Sequence, residues 1–317
     1  MSEISQTPRP VARVSDCRKH MNTDFELSIY VMDLTEISHA ESTLTQAHNL
    51  IERLEHALSE FIPSSPVFRF NRELPLQGAI HLPSHTLEVL GLSERIQVES
   101  RQAFSPWAKS PPSGAPYASL SEGSILIREN PQAHLSFGAI GKGYALDQVA
   151  ALLEAQGFDH WFLNAGGSSI LFQGQHPLHP WRIGLQWTRA CDGSPRGVHF
   201  ETRSSHSIRT AIGVSGVLEQ GAHILDPSTG RALPLSYRLA ALTEVSPDAS
   251  AARTDALSTA LLVEVHRQKP WFPFAPAACL IQTSGELLCH PQWEAIFKKL
   301  RSSTELPIRA FGGETRL

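Results

Sequence analysis

Between positions 44 and 61 the apolar residues Leu44, Ala47, Ile51, Leu54, Leu58 and Phe61 recur at alternating steps of three and four. That spacing puts them on one stripe of an α-helix, and a core-facing stripe accounts for all of them. Pro63 and Pro66 forbid its continuation, since proline lacks the amide donor and collides with the preceding turn. Upstream, residues 25–33 (FELSIYVMD) are rich in strand formers and read as the first strand. A second helix starts near Lys142, with Ala145, Leu146, Val149, Leu152 and Leu153 on one face and Gly157 where a C-terminal cap belongs. Residues 161–164, 169–173 and 181–187 read as short strands, parted by Ala165-Gly166-Gly167 and a Pro/His loop. A third helix is expected over 250–265, its apolar side supplied by Ala256, Leu257, Ala260, Leu261 and Val263. Residues 105–117, dense in Pro, Ser and Gly, read as a loop.

Strands and helices mix without strict β-α-β alternation, which favours an α+β fold over a doubly wound sheet. Residues 1–20 read as a flexible tail, and with no internal repeat residues 21–317 form one expected domain. The 317-residue chain is 41% hydrophobic, enough to bury a sizeable core. Its net charge of −4 and lack of a basic stripe argue against a nucleic-acid partner, and no stretch approaches the apolar length of a membrane span. Cys17, Cys191, Cys279 and Cys289 are widely spaced with no C-x-x-C pair, which suits a reducing compartment. No apolar run of signal-peptide length opens the chain, so a cytoplasmic protein without membrane insertion is expected.

Candidate chemistry concentrates in three segments. Residues 135–147 (LSFGAIGKGYALD) set three glycines and Lys142 at the start of a helix, where exposed amides favour anions. The spacing is not that of a Walker A loop, because Ser136 stands at the first glycine position and Gly143 follows the lysine. On pattern alone the segment is either a phosphate cradle or a tight turn. Residues 222–230 (AHILDPSTG) are strong turn chemistry preceded by His223, one of fifteen histidines. In residues 254–260 (TDALSTA), Asp255 and Thr259 lie four apart and share a helix face. Together they can hold one hard cation such as magnesium; a carboxylate near a helix start, serving no metal, fits the pattern equally.

In this order the segments resemble the ApbE-like FAD:protein FMN transferases. That family's Gly-rich loop ending in Ala-Lys-Gly-Tyr-Ala-x-Asp is matched by Gly138 to Asp147, its Asn-x-Gly-Gly turn by Asn164 to Gly167, its His-Ile-x-Asp-Pro-x-Thr-Gly by His223 to Gly230, and its Asp-Ala-x-x-Thr-Ala by Asp255 to Ala260. Met21-Asn22-Thr23 is similar to the family's Met-Gly-Thr, and residues 59–71 (SEFIPSSPVFRFN) to a segment closing on Asn. The resemblance implies an ApbE-like, T-fold-related architecture of mixed, largely antiparallel sheets packed with helices. It implies Mg2+ held by the Ala139 carbonyl and the Asp255 and Thr259 side chains, and FAD as substrate contacted by Lys142, Met21, Phe70, Asn71, Ile224 and Ser258. His223 and Asp255 are the implied catalytic residues, and the partner is an acceptor flavoprotein offering a Thr or Ser hydroxyl.

Three departures stand out. Asn22 replaces the family's Gly, Ser136 replaces the Asp that opens the Gly-rich loop, and Gly-Ala-Phe-Asp-Pro-Thr becomes Gln102-Ala-Phe-Ser-Pro-Trp, with Ser105 for Asp. Alternatives within the same fold are an FAD-binding protein without transfer and a magnesium-dependent FAD pyrophosphatase. Sequence does not separate the latter from a transferase, because the nucleophile lies on another molecule. A P-loop nucleotide binder is disfavoured by the missing Ser/Thr after Lys142.

Overall fold

The computed structural model describes residues 9–189, 195–204, 206–216, 224–234, 237–267, 277–282, 286–302 and 308–310. The chain opens with a hairpin of β1 (Ala12–His20) and β2 (Thr23–Val31). Met21 and Asn22 form its two-residue turn, at φ 48° and 61°. Such a turn matches strand twist only with positive φ at both positions, and asparagine tolerates that region better than most residues. Asn22 is therefore compatible with the backbone where relatives have Gly. The expected tail over 1–20 is corrected from residue 12 onward: β1 is a paired strand. Its mixed charges (Arg13, Asp16, Arg18, Lys19) hide it from a reading based on apolar runs, because an edge strand is wetted on much of its surface.

The first helix, α1 (Ile37–Leu58), buries Leu44, Ala47, Ile51, Leu54 and Leu58 as the spacing predicts. It stops before Phe61, because Ser59 Oγ accepts from the amides of Phe61 and Ile62 and turns the chain outward. Phe61 is consequently 79% exposed rather than part of the stripe. Pro66, at the first position of α2 (Pro66–Arg72), costs no hydrogen bond there, and Ser65 caps that helix. Next come β3 (Ala79–His81), α3 (Ser84–Glu99), β4 (Ala118–Ser121) and β5 (Ile125–Arg128), the strands forming a small sheet in the order β3-β5-β4. Residues 100–117 contain no helix or strand, and they include the loop expected over 105–117.

The remainder builds the body. It runs α4 (Gly141–Ala155), β6 (Trp161–Ala165), β7 (Ser169–Gln175), β8 (Arg182–Arg189), β9 (Pro195–Thr202), β10 (His206–Gly216), β11 (Leu225–Asp226), β12 (Arg231–Ala232), β13 (Tyr237–Val245), α5 (Ala251–His266), β14 (Ala278–Gln282), β15 (Leu287–Cys289), α6 (Pro291–Ile296), β16 (Phe297–Ser302) and β17 (Ile308–Ala310). Gly157, at φ 84°, follows the end of α4 as the cap position requires. Nine strands pair in the order β1-β2-β6-β7-β10-β13-β14-β15-β17, antiparallel except for the last pair. The fold is thus α+β, with mixed, largely antiparallel sheets.

Strand alternation gives this large sheet two buried faces. Ala211 of β10 and Ala240 and Leu242 of β13 face a core shared with α1, α4 and α5. Ile212, Leu239 and Ala241 face a second core with Trp181, Phe200, Trp293 and Phe297, beneath a three-stranded sheet β16-β9-β8. The innermost helix is α5, with thirteen of its sixteen residues buried. Two glycines make that depth possible: a Cβ on Gly143 of α4 would come within 2.2 Å of the Ala251 carbonyl oxygen, and one on Gly213 of β10 within 2.2 Å of the Thr254 carbonyl. Main chain meets main chain at both contacts, so only glycine fits.

Candidate functional site

Where α4 crosses α5, a carboxylate from each helix reaches the amino end of the other. Asp147 accepts from the Ala251 amide at 2.8 Å, the Ala252 amide at 3.0 Å and the Ser250 hydroxyl at 2.7 Å. Asp255 Oδ2 accepts from the Gly143 amide at 2.9 Å and from Ser169 Oγ at 2.6 Å. Free amides at helix starts call for acceptors, and here the partner helix supplies them.

The two carboxylates differ in what remains. Asp255 Oδ1 is buried without a hydrogen-bond partner among the described residues. Burial pushes the Asp255 carboxyl up to about 7 against the opposing Lys142 ammonium, the Ser169 hydroxyl and the Gly143 amide, with Asp147 adding to the rise. One oxygen is locked and the other faces an environment that does not satisfy it.

Ser258 and Thr259, a turn further along α5 than Asp255, join Ser215 in a cluster of hydroxyls. Ser215 Oγ is 2.7 Å from Ser258 Oγ and 2.8 Å from Thr259 Oγ1, and Ser258 also donates to the Asp255 carbonyl at 2.8 Å. A carboxylate with an unspent oxygen next to neutral oxygen donors suits a hard divalent cation such as Mg2+. An orphaned buried carboxylate oxygen is otherwise costly. The residues present therefore fit the group that the resemblance implies.

The other expected site residues fall into three groups. Lys142 lies in the first turn of α4, next to Gly143, and Ala139 in the turn that opens that helix. Phe70 and Asn71 sit on α2, and Asn71 holds the loop before α4. Asn71 donates to the Leu135 carbonyl and accepts from the Leu135 amide, both at 2.8 Å, so its amide group is spent on the backbone. Phe70 is fully buried beneath the Arg128 guanidinium, 4.8 Å from its ring centre. Met21 occupies the β1–β2 turn. The neighbouring Asn164–Gly167 turn packs onto it so closely that a Cβ on Gly166 would lie 2.1 Å from Thr23 Oγ1. Two residues after that turn, Ser169 reaches Asp255.

Ile224 is buried in the helix-side core, and its carbonyl accepts from Leu233 at 2.8 Å. The turn after it is pinned by Asp226, whose carboxylate pairs with Arg267 at 2.5 Å. His223 lies outside the described residues.

Sequence reasoning missed Ser169, Ser215 and Glu60. Ser169 had only its place after the Gly-Gly turn to signal it, and Ser215 had none, being one serine in a strand. Glu60 Oε1 accepts from Ser136 Oγ at 2.8 Å and from Lys109 Nζ at 2.6 Å, while Oε2 pairs with His134 Nε2 at 2.9 Å. Burial would raise this carboxyl, but His134, Lys109 and Ser136 together bring it down to about 2. The departures at Ser136 and Ser105 keep local roles: Ser136 bonds Glu60, and Ser105 Oγ accepts from the Trp107 amide at 3.1 Å, the turn bond an aspartate makes.

Comparison with known proteins gives one consistent result. The model of the ApbE family matches residues 21–272. A FAD:protein FMN transferase of Vibrio cholerae is 29% identical over 146 residues, covering 45% of this chain and 42% of that protein. One of Escherichia coli is 27% identical over 147 residues, covering 45% and 40%. The chain thus spans about two fifths of the length of these curated relatives. Among solved structures, the flavin transferase ApbE from Vibrio cholerae superposes with a TM-score of 0.69 at 20% identity, covering 93% of this chain and 98% of that one. An ApbE protein from Thermotoga maritima gives 0.70 at 17%, covering 90% and 99%. At that identity the structural likeness speaks for the fold.

Proposed function

The chain belongs to the ApbE family, and we propose that it is a magnesium-dependent FAD:protein FMN transferase that moves FMN from FAD to a Thr or Ser hydroxyl of an acceptor flavoprotein, releasing AMP. The observation that carries this reading is that Asp255 Oδ1 is buried without a partner among the described residues, on the same helix as the Ser258 and Thr259 hydroxyls that Ser215 gathers. Asp255 and Thr259, with the Ala139 carbonyl, would hold Mg2+. When bound, the ion supplies charge neutralisation at the FAD pyrophosphate.

The remaining roles fall to the chain itself. Ser169 and the Gly143 amide fix Asp255 Oδ2, which aims Oδ1. Lys142, together with the positive end of α4, provides a fixed field for phosphate oxygens. Met21, Phe70, Asn71, Ile224 and Ser258 are assigned to the FAD side by the resemblance; Asn71 would serve it by holding the loop that leads into α4. His223 would take the proton of the acceptor hydroxyl as its oxygen attacks the FMN phosphorus. A phosphoester forms, the bond to the AMP phosphate breaks, and AMP leaves.

Co-expression with an acceptor domain carrying a target Thr, read as flavin fluorescence of the denatured acceptor, tests this reading. A fluorescent acceptor band in the wild type, absent for Asp255→Ala, is the expected result. Hydrolysis of FAD to FMN and AMP without a band would favour the pyrophosphatase, and intact bound FAD the simple binder. For His223→Ala, FAD binding should persist while transfer is abolished; lost binding or full activity would remove its assigned role.

A further inference from the structure

We propose that Glu60 is a positioning residue for this site, setting the Ser136–Ala139 loop through its carboxylate. The inference rests on the transferase reading above. Glu60 lies in the turn after α1, far from α5 in sequence, and its side chain is only 10% exposed. Its oxygens gather donors from two other segments. Lys109 comes from the irregular stretch 100–117, at 2.6 and 2.8 Å from the two oxygens. His134 and Ser136 come from the strand-free run into α4, at 2.9 and 2.8 Å.

That run is held at each successive residue. The His134 amide donates to Ser110 Oγ at 2.8 Å, Asn71 binds both backbone groups of Leu135, and the Ser136 amide donates to the Pro106 carbonyl at 2.9 Å. Beyond Ser136 the hydrogen bonds turn local: the exposed Gly138 donates its amide to Ser136 Oγ at 3.4 Å, and Ile140 and Gly141 donate to the Phe137 carbonyl at 3.1 and 2.7 Å. Phe137 packs into the core, so among the described residues Ser136 is the last residue before Ala139 that is hydrogen-bonded to another segment, and Glu60 is the side chain its hydroxyl donates to. The site needs a carbonyl placed with little freedom, because a small hard cation demands near-ideal geometry. In this chain a carboxylate reaching in from the α1–α2 turn meets the serine that stands where relatives carry Asp.

Glu60→Gln and Ser136→Ala, singly and together, test the tie on the whole chain. Hydrogen exchange of residues 135–141 is read without metal, and Mn2+ affinity by electron paramagnetic resonance. Each single variant should speed exchange in that segment and weaken Mn2+ binding about tenfold, with exchange in α5 unchanged. The double variant should be no worse than the more damaging single one, because both cut one link. Unchanged Mn2+ affinity in the singles, or effects that add as independent losses, would overturn the role of Glu60. A wild-type chain that binds neither Mn2+ nor FAD would instead bring down the transferase reading, and this inference with it.

Discussion

Asp147 on α4 and Asp255 on α5 each cap the helix that carries the other. The exchange fixes the crossing of the two helices, yet the two carboxylates are not equivalent. Asp147 spends both oxygens on α5, whereas Asp255 spends one and leaves the other without a partner among the described residues.

Substituting the two should therefore have opposite consequences. Asp147→Ala leaves two amides and a hydroxyl without their acceptor and should cost about 2–4 kcal/mol in urea unfolding. Asp255→Asn keeps an acceptor for Gly143 and Ser169 and removes a buried charge. Its metal-free stability should stay within about 1 kcal/mol of wild type while flavin transfer is lost.

Gly143→Ala reverses the usual expectation for a helix. Alanine ordinarily favours a helix interior by about 1 kcal/mol. Here the new methyl would lie 2.2–2.5 Å from the backbone of Ala251 and Ala252. A loss of more than about 3 kcal/mol, or an insoluble product, is expected; a stabilised variant would contradict the close crossing.

Gln102 carries φ 66°, a conformation that suits Gly, the residue opening the family motif this segment resembles. A side chain costs roughly 1–2 kcal/mol in that conformation, partly offset in glycine by its freer unfolded chain. Gln102→Gly should raise stability by up to about 1 kcal/mol, read from the midpoint of thermal unfolding.

Ser215→Ala should separate site chemistry from folding. The hydroxyl bridges Ser258 and Thr259 from the end of a strand. Its loss should weaken Mn2+-supported FAD binding five- to tenfold, in the range of a single hydrogen bond. The unfolding midpoint should move little.

Acid should weaken the fold in a defined window. The Glu60 carboxyl is held at about 2 against an ordinary 4.5, so its stabilising contribution is complete above pH 4.5 and disappears as pH falls towards 2. That difference corresponds to roughly 3 kcal/mol. Asp226 acts in the same direction: burial would raise its carboxyl, but Arg267 and Ser228 bring it to about 2. Stability measured from pH 6 to 2 should fall through this window, and Glu60→Gln should flatten the decline.

Local features of this protein were legible in the sequence because their causes are local. The stripe of α1, the Gly157 cap and the Asp255/Thr259 spacing depend on neighbours within a turn or two. Two of the motifs also fall at the starts of α4 and α5. The Asp255 spacing fits either a metal site or a carboxylate near the start of its own helix; in the structure Oδ2 caps a different helix, α4, and Oδ1 has no partner among the described residues.

The tertiary structure alone decided what surrounds those residues. Ser169 meets Asp255 across 86 positions, and Ser136 meets Glu60 across 76. Cys279 and Cys289, widely spaced in the chain, become direct partners across β14 and β15, both free thiols. Strand β1 exists because β2 offers it a partner, not because its own residues are apolar. Periodicity and capping are set by a few adjacent residues, so a sequence displays them. Which distant serine or glutamate satisfies a buried oxygen depends on how sheets and helices stack, and that is fixed only when the whole core forms.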